Sequence, residues 1–576
     1  MKRPLFTSDS DRSCRRYETL VEALNDAPTS QPFVTMWHDE DRVETVSWGE
    51  FRRRAEAQAV FFDSHGLRAH DTLILVMPQG ISLMSAFVGA MMIGAIPAIL
   101  AYPNFKLEPT KYRSGLVGVT ANLKAKLIGL DEDFPQELID CVTVAEGTRT
   151  VRVADYPPTL EGSFRRREVL PTDTAFIQHS AGTTGLQKGV ALSHGAVLQQ
   201  LRTLAEALKL DVDDRIYSWL PLYHDMGLIA CFMLPFVYHI PLVMQSPTDW
   251  VVQPATMFEL ITAQRCTLAW LPNFAFQFLA RRVPARNRSD YDLSCVRAFI
   301  NCSEPVKAES IDEFQGAYSS CNLRPGSLHT CYAMAETVFA VTQSEVGTSD
   351  GPARLWIDKS RLRDQHRAVP VESESTGATC VVSSGRVLGG SSVRVVDPEL
   401  KDLPEGQIGE IIVHSDSLFD GYYGRPDLSA EVLRGGWYCS GDLGFVWKGN
   451  LYVTGRRKDI IIVGGKNIYP QDIEAIISLH PHIHDGRVVA FGLYNPGLGT
   501  EDIVAVAELE ENVGSDQLLA MEKSLRNAVV AELGVPLRTL YFKPPLWIVK
   551  SSAGKPARSA TRDKLLAEHP ELALAN

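Results

Sequence analysis

Short apolar runs of strand length alternate with longer amphipathic stretches through most of the first 440 or so residues of this chain. Thr72-Leu73-Ile74-Leu75-Val76-Met77 is one such run and leads into a helical pattern. Thr174 to His179 is another, and the residues from Ala191 to Gly195 predict the opening of a helix after it. Thr267 to Trp270 precedes a helical pattern over Phe274 to Arg282. This alternation predicts an α/β fold with largely parallel sheets flanked by helices. Ser392 to Val396 and Glu410 to His414 alternate like strands of a smaller β-rich subdomain. Beyond Arg457 the pattern changes: a helix is expected over Asp472 to Leu479, strands over Gly486 to Gly492 and Asp502 to Ala507, and a helix over Ser515 to Leu533. The chain therefore divides into a large N-terminal domain, 1–457, and a small α+β domain, 458–576, each of ordinary or larger domain size.

Two stretches break the alternation. Met84 to Ala101 carries no charge and is long enough to span a bilayer, but Gly89, Gly94 and Pro97 interrupt it. A buried helix followed by a buried strand is the expectation, and no membrane span. Between Glu336 and Gly385 the chain runs through Gly347 to Pro352, the charged segment Asp358 to Arg367, and Glu372 to Gly377. This is long for a connection inside a compact domain, which marks it as functional or disordered.

Composition narrows the function classes. Hydrophobic residues make up 45% and charged residues 22%, as in globular proteins, and the formal net charge of −12 speaks against a broad nucleic-acid-binding face. Ten cysteines occur with no C-x-x-C pair, which suits reduced thiols in a cytoplasm better than disulfides or a zinc site. Residues 1–17 hold basic side chains with no apolar run behind them, so no secretory signal is expected.

The chemistry is concentrated in Ser180-Ala181-Gly182-Thr183-Thr184-Gly185-Leu186-Gln187-Lys188-Gly189-Val190. Glycines let backbone amides approach an anion, threonines add donors, and Lys188 adds a point charge, which together make a cradle for a polyphosphate. It is not a Walker A loop: the residue before Lys188 is Gln187 and the one after it is Gly189. Four further segments follow in order. They are Leu220 to Leu228, holding His224 and Asp225; Tyr332-Ala333-Met334-Ala335-Glu336-Thr337; Ser440-Gly441-Asp442 with Gly455-Arg456-Arg457-Lys458-Asp459; and Ser551-Ser552-Ala553-Gly554-Lys555.

As an ordered set, these segments resemble the adenylate-forming superfamily of acyl-CoA synthetases, luciferases and peptide-synthetase adenylation domains, from about Trp48 to Arg562. The long connection after Glu336, Asn301 to Val306, Leu271 to Phe276 and Ser383 to Arg386 resemble the fatty acyl-AMP ligases more narrowly. The resemblance implies that a carboxylate attacks the α-phosphate of ATP to give acyl-AMP and pyrophosphate. A carboxylate is ionised at neutral pH, so positioning and charge neutralisation are needed rather than a general base.

The resemblance implies a role for each motif residue. Thr183, Thr184, Gly185 and Lys188 hold the β- and γ-phosphates, and Glu336 with Thr184 holds Mg²⁺. Tyr332 stacks on adenine, with Ala333, Met334 and Ala335 beside it and Ser303, Glu304 and Pro305 on the other face. Asp442 and Arg456 take the ribose, and Lys458 is the hinge. Lys555 meets the carboxylate and the α-phosphate. His224 and Asp225, with Asn273 and Phe274, contact the acid, and Phe276 and Phe278 are candidates for an acyl tunnel. The acceptor expected is the phosphopantetheine thiol of an acyl carrier protein. An acyl-CoA synthetase using CoA is the alternative, and a non-catalytic adenylate-binding homologue the remote one. Ala181 stands where the superfamily has Ser, and Ala333 where it has Gly. Leu388-Gly389-Gly390-Ser391-Ser392 imitates a carrier attachment motif, but strand-like sequence follows it, and it reads as a turn.

Overall fold

The computed structural model describes residues 17–39, 42–103, 109–142, 146–154, 167–179, 188–463, 466–495, 498, 500–510, 513–550 and 555–574. Among these residues two large sheets dominate. A nine-stranded sheet contains neighbouring parallel strands Leu328–Ala333, Ala298–Asn301, Leu268–Leu271, Ile216–Ser218, Leu242–Gln245 and Pro32–Asp39. A seven-stranded sheet has Thr174–His179, Ile96–Ile99, Thr72–Val76, Leu127–Leu130 and Arg149–Arg152 in parallel. The central strands, such as Thr72–Val76, Ile96–Ile99 and Leu268–Leu271, are buried along their whole length, whereas the edge strand Arg149–Arg152 is partly exposed. A five-stranded antiparallel sheet includes Ser391–Val396, Gly409–Ser415, Trp437–Trp447 and Asn450–Arg456.

The α/β expectation is met. The strand Thr174–His179 and the helix Ser515–Leu533 fall where the pattern puts them. The uncharged stretch from Met84 forms most of the buried helix Ile81–Met92 and then the buried strand Ile96–Ile99. Among the described residues no helix is long and apolar enough to cross a membrane. The imitation of a carrier motif is a turn with Gly390 at φ +71°, followed by the strand Ser391–Val396.

Two expectations need correction. Ala191 to Ser193 do not open a helix; they end the strand Gly189–Ser193, which pairs antiparallel with Thr174–His179. The helix begins at His194, where the Ser193 side chain caps it by accepting from the Ala196 amide at 3.2 Å. The glycine-rich loop thus joins two antiparallel strands instead of leading into a helix. The connection after Glu336 is also built. It holds the strand Ala340–Gln343, the antiparallel pair Arg354–Asp358 and Ala378–Val382, and the helix Lys359–Gln365 between that pair. Its stability comes from distant partners: Ile357 and Ala368 pack on Ile408, Phe445 and Tyr452, and Arg354 makes a two-pronged pair with Asp312 at 2.5 and 3.0 Å.

From Ile461 onward the chain closes its own core. The strands Ile483–Asn495, Thr500–Leu509 and Leu537–Lys543 form a sheet. On one face Val488, Ala490 and Ala505 meet Ile473, Ile477 and Leu525 of the helices Pro470–Ser478 and Ser515–Leu533. On the other, Val489, Phe491 and Val504 meet Ile548 and Leu565. Adjacent residues thus face opposite ways, as the strand period requires.

His179, at the end of its strand, is buried, and among the described residues neither ring nitrogen has a partner. Burial lowers its pKa from 6.5 to about 4. Between those values the unfolded chain holds the proton and the folded chain does not, so stability falls as pH falls through this window, by on the order of 3 kcal/mol. Thermal unfolding followed from pH 7 to pH 4 should show this decline, and His179→Leu should flatten it. An unchanged slope in that variant would contradict the assignment.

Candidate functional site

The C-terminal ends of four neighbouring parallel strands of the nine-stranded sheet carry consecutive motifs. Tyr332 and Ala333 end Leu328–Ala333, Ser303 follows Ala298–Asn301, Asn273 follows Leu268–Leu271, and His224 follows Ile216–Ser218. In an open parallel sheet this edge is where ligands bind. The strand geometry alone therefore gathers segments that are far apart in sequence.

Asp442 is the hub. It lies directly opposite Arg456 on antiparallel strands, and Arg456 Nε donates to its Oδ1 at 3.0 Å. Tyr332 Oη donates to Oδ2 at 2.6 Å. Burial and the carboxylate raise the tyrosine's pKa well above the ordinary range, so it remains a donor. Asp442 is itself buried, and the Ser440 hydroxyl accepts from its amide at 3.0 Å.

Glu336 is also buried, and Tyr422 Oη donates to its Oε1 at 2.8 Å. The Lys188 ammonium stands 4.5 Å from the centre of the Tyr422 ring. Tyr422 therefore joins the acid to the lysine. The motif set does not mark it. The signal available was Gly421-Tyr422-Tyr423-Gly424, whose first two residues form a short strand that pairs with Val190 and Ala191. Thr183, Thr184, Gly185 and the departure at Ala181 lie outside the described residues.

His224 Nδ1 lies 2.6 Å from Asp225 Oδ1, which also accepts from the Met226 amide at 2.7 Å. Burial alone would raise the Asp225 carboxyl, but His224, the Met226 amide and Lys555 outweigh it and hold the pKa low. The following turns, Met226–Met233, form a π-helix, a form often found at functional sites. Gly227 permits this, since a Cβ there would lie 2.3 Å from the Pro221 carbonyl oxygen.

Lys555 reaches this edge from the C-terminal segment. Its ammonium donates to the Ser303 carbonyl, and Ser303 adopts a left-handed conformation at φ +69°. Burial pushes the lysine's pKa below its ordinary 10.5, against the pull of Glu304 and Asp225. Glu304 accepts from the Phe274 amide at 2.9 Å. Lys458 likewise loses proton affinity through burial, then through the charges of Arg456 and Lys188.

The remaining candidates sit behind this edge. Asn273 is buried, with its Oδ1 accepting from Asn301 at 2.9 Å and its Nδ2 donating to Ser310 at 3.0 Å. It braces the Ser303 turn from inside. Phe276 is fully buried against Phe314, whereas Phe274 and Phe278 flank the stacked pair Trp219 and Trp250, whose centroids are 3.8 Å apart. Pro305 is exposed, Ala333 and Met334 are half-buried, and Ala335 is buried beside Glu336.

Lys188, Arg456, Lys458 and Lys555 thus surround one region and depress or oppose one another's charge. Such convergence suits a polyanion. Inorganic pyrophosphate should bind the free protein, more weakly as salt rises, and Lys188→Met should weaken binding about tenfold, near the value of one partly screened charge. Titration calorimetry checks this, and equal affinity in the variant would contradict it.

Comparison with known proteins agrees with this geometry. The medium-chain-fatty-acid–[acyl-carrier-protein] ligase JamA of Moorena producens is 29% identical over 96% of this chain and 95% of its own. The long-chain-fatty-acid–AMP ligase FadD26 of Mycobacterium marinum is 28% identical over 94% and 95%. A solved structure from the fatty acyl-adenylate ligases of E. coli and L. pneumophila superposes with a TM-score of 0.88, at 27% identity, covering 96% of this chain and 98% of that one. A fatty acyl-adenylate ligase of L. pneumophila solved with acyl adenylate and pyrophosphate has a TM-score of 0.72 at 25% identity, over 96% and 97%. The sequence model of the AMP-binding enzymes matches residues 22–423, and with the hub at Asp442 and the strand-end site this chain belongs to the AMP-binding enzyme family.

Proposed function

We propose that this protein activates a fatty or other apolar carboxylic acid as its acyl-adenylate and passes the acyl group to the phosphopantetheine thiol of an acyl carrier protein. The observation that carries the reading is the approach of Lys555 to Ser303, between Asp225, Glu304 and the array of Tyr332, Asp442 and Arg456. A carboxylate oxygen attacks the α-phosphorus, the bond to the β-bridging oxygen breaks, and pyrophosphate leaves with the electron pair. No proton moves, so the chain's residues act as orienting donors and fixed charges.

In this reading Tyr332 lies along adenine with Ser303, Glu304 and Pro305 on the opposite side, and Asp442 accepts from the ribose hydroxyls while Arg456 holds it in place. Lys188 with Thr183, Thr184 and Gly185 takes the β- and γ-phosphates. Glu336, oriented by Tyr422, has a carboxylate suited to a hard cation. With Thr184 it would hold Mg²⁺, which supplies charge neutralisation for the leaving pyrophosphate. Lys555 bridges the acid and the α-phosphate. His224, held by Asp225, faces the acid, and Phe274 and Phe278 with the tryptophan pair border the acyl chain. Asn273 supports that wall from behind. The free thiols suit a reducing cytoplasm.

The segment after Glu336 supports the choice of acceptor. Its helix Lys359–Gln365 lies against the strand Lys466–Ile468, and Lys359 reaches Glu532 at 3.4 Å. We infer a division at 457/458, with this segment limiting the turn of the small domain and favouring a carrier-borne thiol over CoA. JamA, a ligase to an acyl carrier protein by name, supports this choice.

Hydroxylamine trapping beside thioester analysis tests the acceptor: acyl-hydroxamate and acyl-carrier protein should form, and robust acyl-CoA would overturn the carrier reading. The low pKa of Lys555 gives a second prediction. Its ammonium deprotonates as pH rises through a value below 10.5, so kcat/KM for ATP should fall on the alkaline side before the ordinary lysine range. Lys555→Ala should abolish adenylation, and an alkaline limb of the wild-type enzyme at or above the ordinary lysine range would contradict the assignment.

A further inference from the structure

The segment 456–459 is tied to opposite bodies on either side of one residue. Arg456 holds Asp442 at 3.0 Å, and Arg457 Nη1 donates to Glu410 Oε2 at 2.7 Å. Both acids belong to the five-stranded sheet. Asp459 faces the other way: its Oδ2 accepts from Arg558 Nη1 at 2.8 Å. Arg558 Nη2 donates to Glu474 Oε1 at 2.7 Å, and its Nε donates to the Ala490 carbonyl at 2.8 Å. Glu474 Oε1 in turn accepts from the Ala490 amide at 2.9 Å. Lys458, between the two sets of ties, belongs to neither.

Arg558 stands three residues after Lys555. The chain between them is held, because the Ala557 amide donates to the Val549 carbonyl at 2.7 Å and Pro556 pairs with Lys550 as an isolated bridge. The guanidinium is mostly buried, and all three of its nitrogens are engaged. A planar fork fixes direction as well as charge, which a lysine cannot do. The stretch from Lys555 to Arg558 is therefore tied to Glu474 and Asp459 as one piece.

We propose that Arg558 is a positioning residue that locks the stretch from Lys555 to Arg558 to Asp459, so that rotation confined to Lys458 carries Lys555 into and out of the site as one body. The proposal rests on the adenylation reading and on Lys458 as the pivot. Arg456 and Arg457 keep the near side of the pivot fixed to the large body, while Asp459 and Arg558 make the far side stiff. Loosening the far side leaves ATP bound but misplaces Lys555. A misplacement of about 1 Å at a reacting centre costs about 10²-fold in rate.

The test uses Asp459→Asn, Arg558→Gln and Arg558→Lys in the full chain, with two readouts. Acyl-hydroxamate formation from ATP and dodecanoic acid reports adenylation, and thioester formation from synthetic dodecanoyl-AMP reports transfer, which bypasses the attack on ATP that Lys555 is placed to serve. Asp459→Asn should lower kcat for adenylation about 10²-fold with KM for ATP within about twofold, leaving transfer unchanged. Arg558→Gln should match it, the double variant should be no worse than Arg558→Gln, and Arg558→Lys should recover part of the loss. If Arg558→Gln does not fold, Asp459→Asn decides alone. Adenylation at the wild-type rate in Asp459→Asn, or equal loss of both half-reactions with a matching drop in Tm, overturns the proposal. Wild-type protein forming no hydroxamate, or Lys555→Ala forming it freely, overturns the adenylation reading instead.

Discussion

A half-buried ammonium sets the terms for this molecule. Lys555 gives up hydration to reach the Ser303 carbonyl, and burial lowers its pKa. A lone charge taken out of water is expensive, so the surroundings must supply compensation. Asp225 and Glu304 provide it, each held by a further group: Asp225 by His224 and the Met226 amide, Glu304 by the Phe274 amide. Arg456 opposes the lysine, and Asp442 keeps Arg456 in place. Each acid of the site is therefore matched to a cation or donor, while the cations crowd one region. A polyphosphate would relieve that crowding.

The fold makes this arrangement inexpensive to build. Four neighbouring parallel strands end at one edge, so His224, Asn273, Ser303 and Tyr332 need no long excursions. The antiparallel sheet brings Asp442 and Arg456 into register with each other. The strand Gly421–Tyr422 then pairs with Val190 and Ala191, placing Tyr422 between Lys188 and Glu336.

Much of this was legible in the sequence where periodicity is strong. Thr174–His179 and Ser515–Leu533 stand out because an apolar run and an amphipathic period mark them on their own. Gly189–Ser193 did not, since a short apolar run before a capping serine reads equally as the start of a helix. The segment after Glu336 left function and disorder both open because its anchors are distant: Ile357 depends on Phe445 and Tyr452, and Arg354 on Asp312. Tyr422 was missed because its importance comes from two partners, Glu336 and Lys188, that no local pattern links to it. Asn273 was visible as a polar residue near the acid, but its amide is spent on Asn301 and Ser310. Motifs mark the residues gathered at the strand ends, and long-range pairs decide which residues brace them.

The central claim is that one adenylate-forming site is completed by Lys555 from beyond residue 457. The direct measurement is fatty-acid-dependent exchange of labelled pyrophosphate into ATP, made with a panel of acids. Exchange that requires an apolar acid and vanishes in Lys555→Ala is the predicted result. Exchange that ignores the acid, or persists unchanged in the variant, would contradict the account.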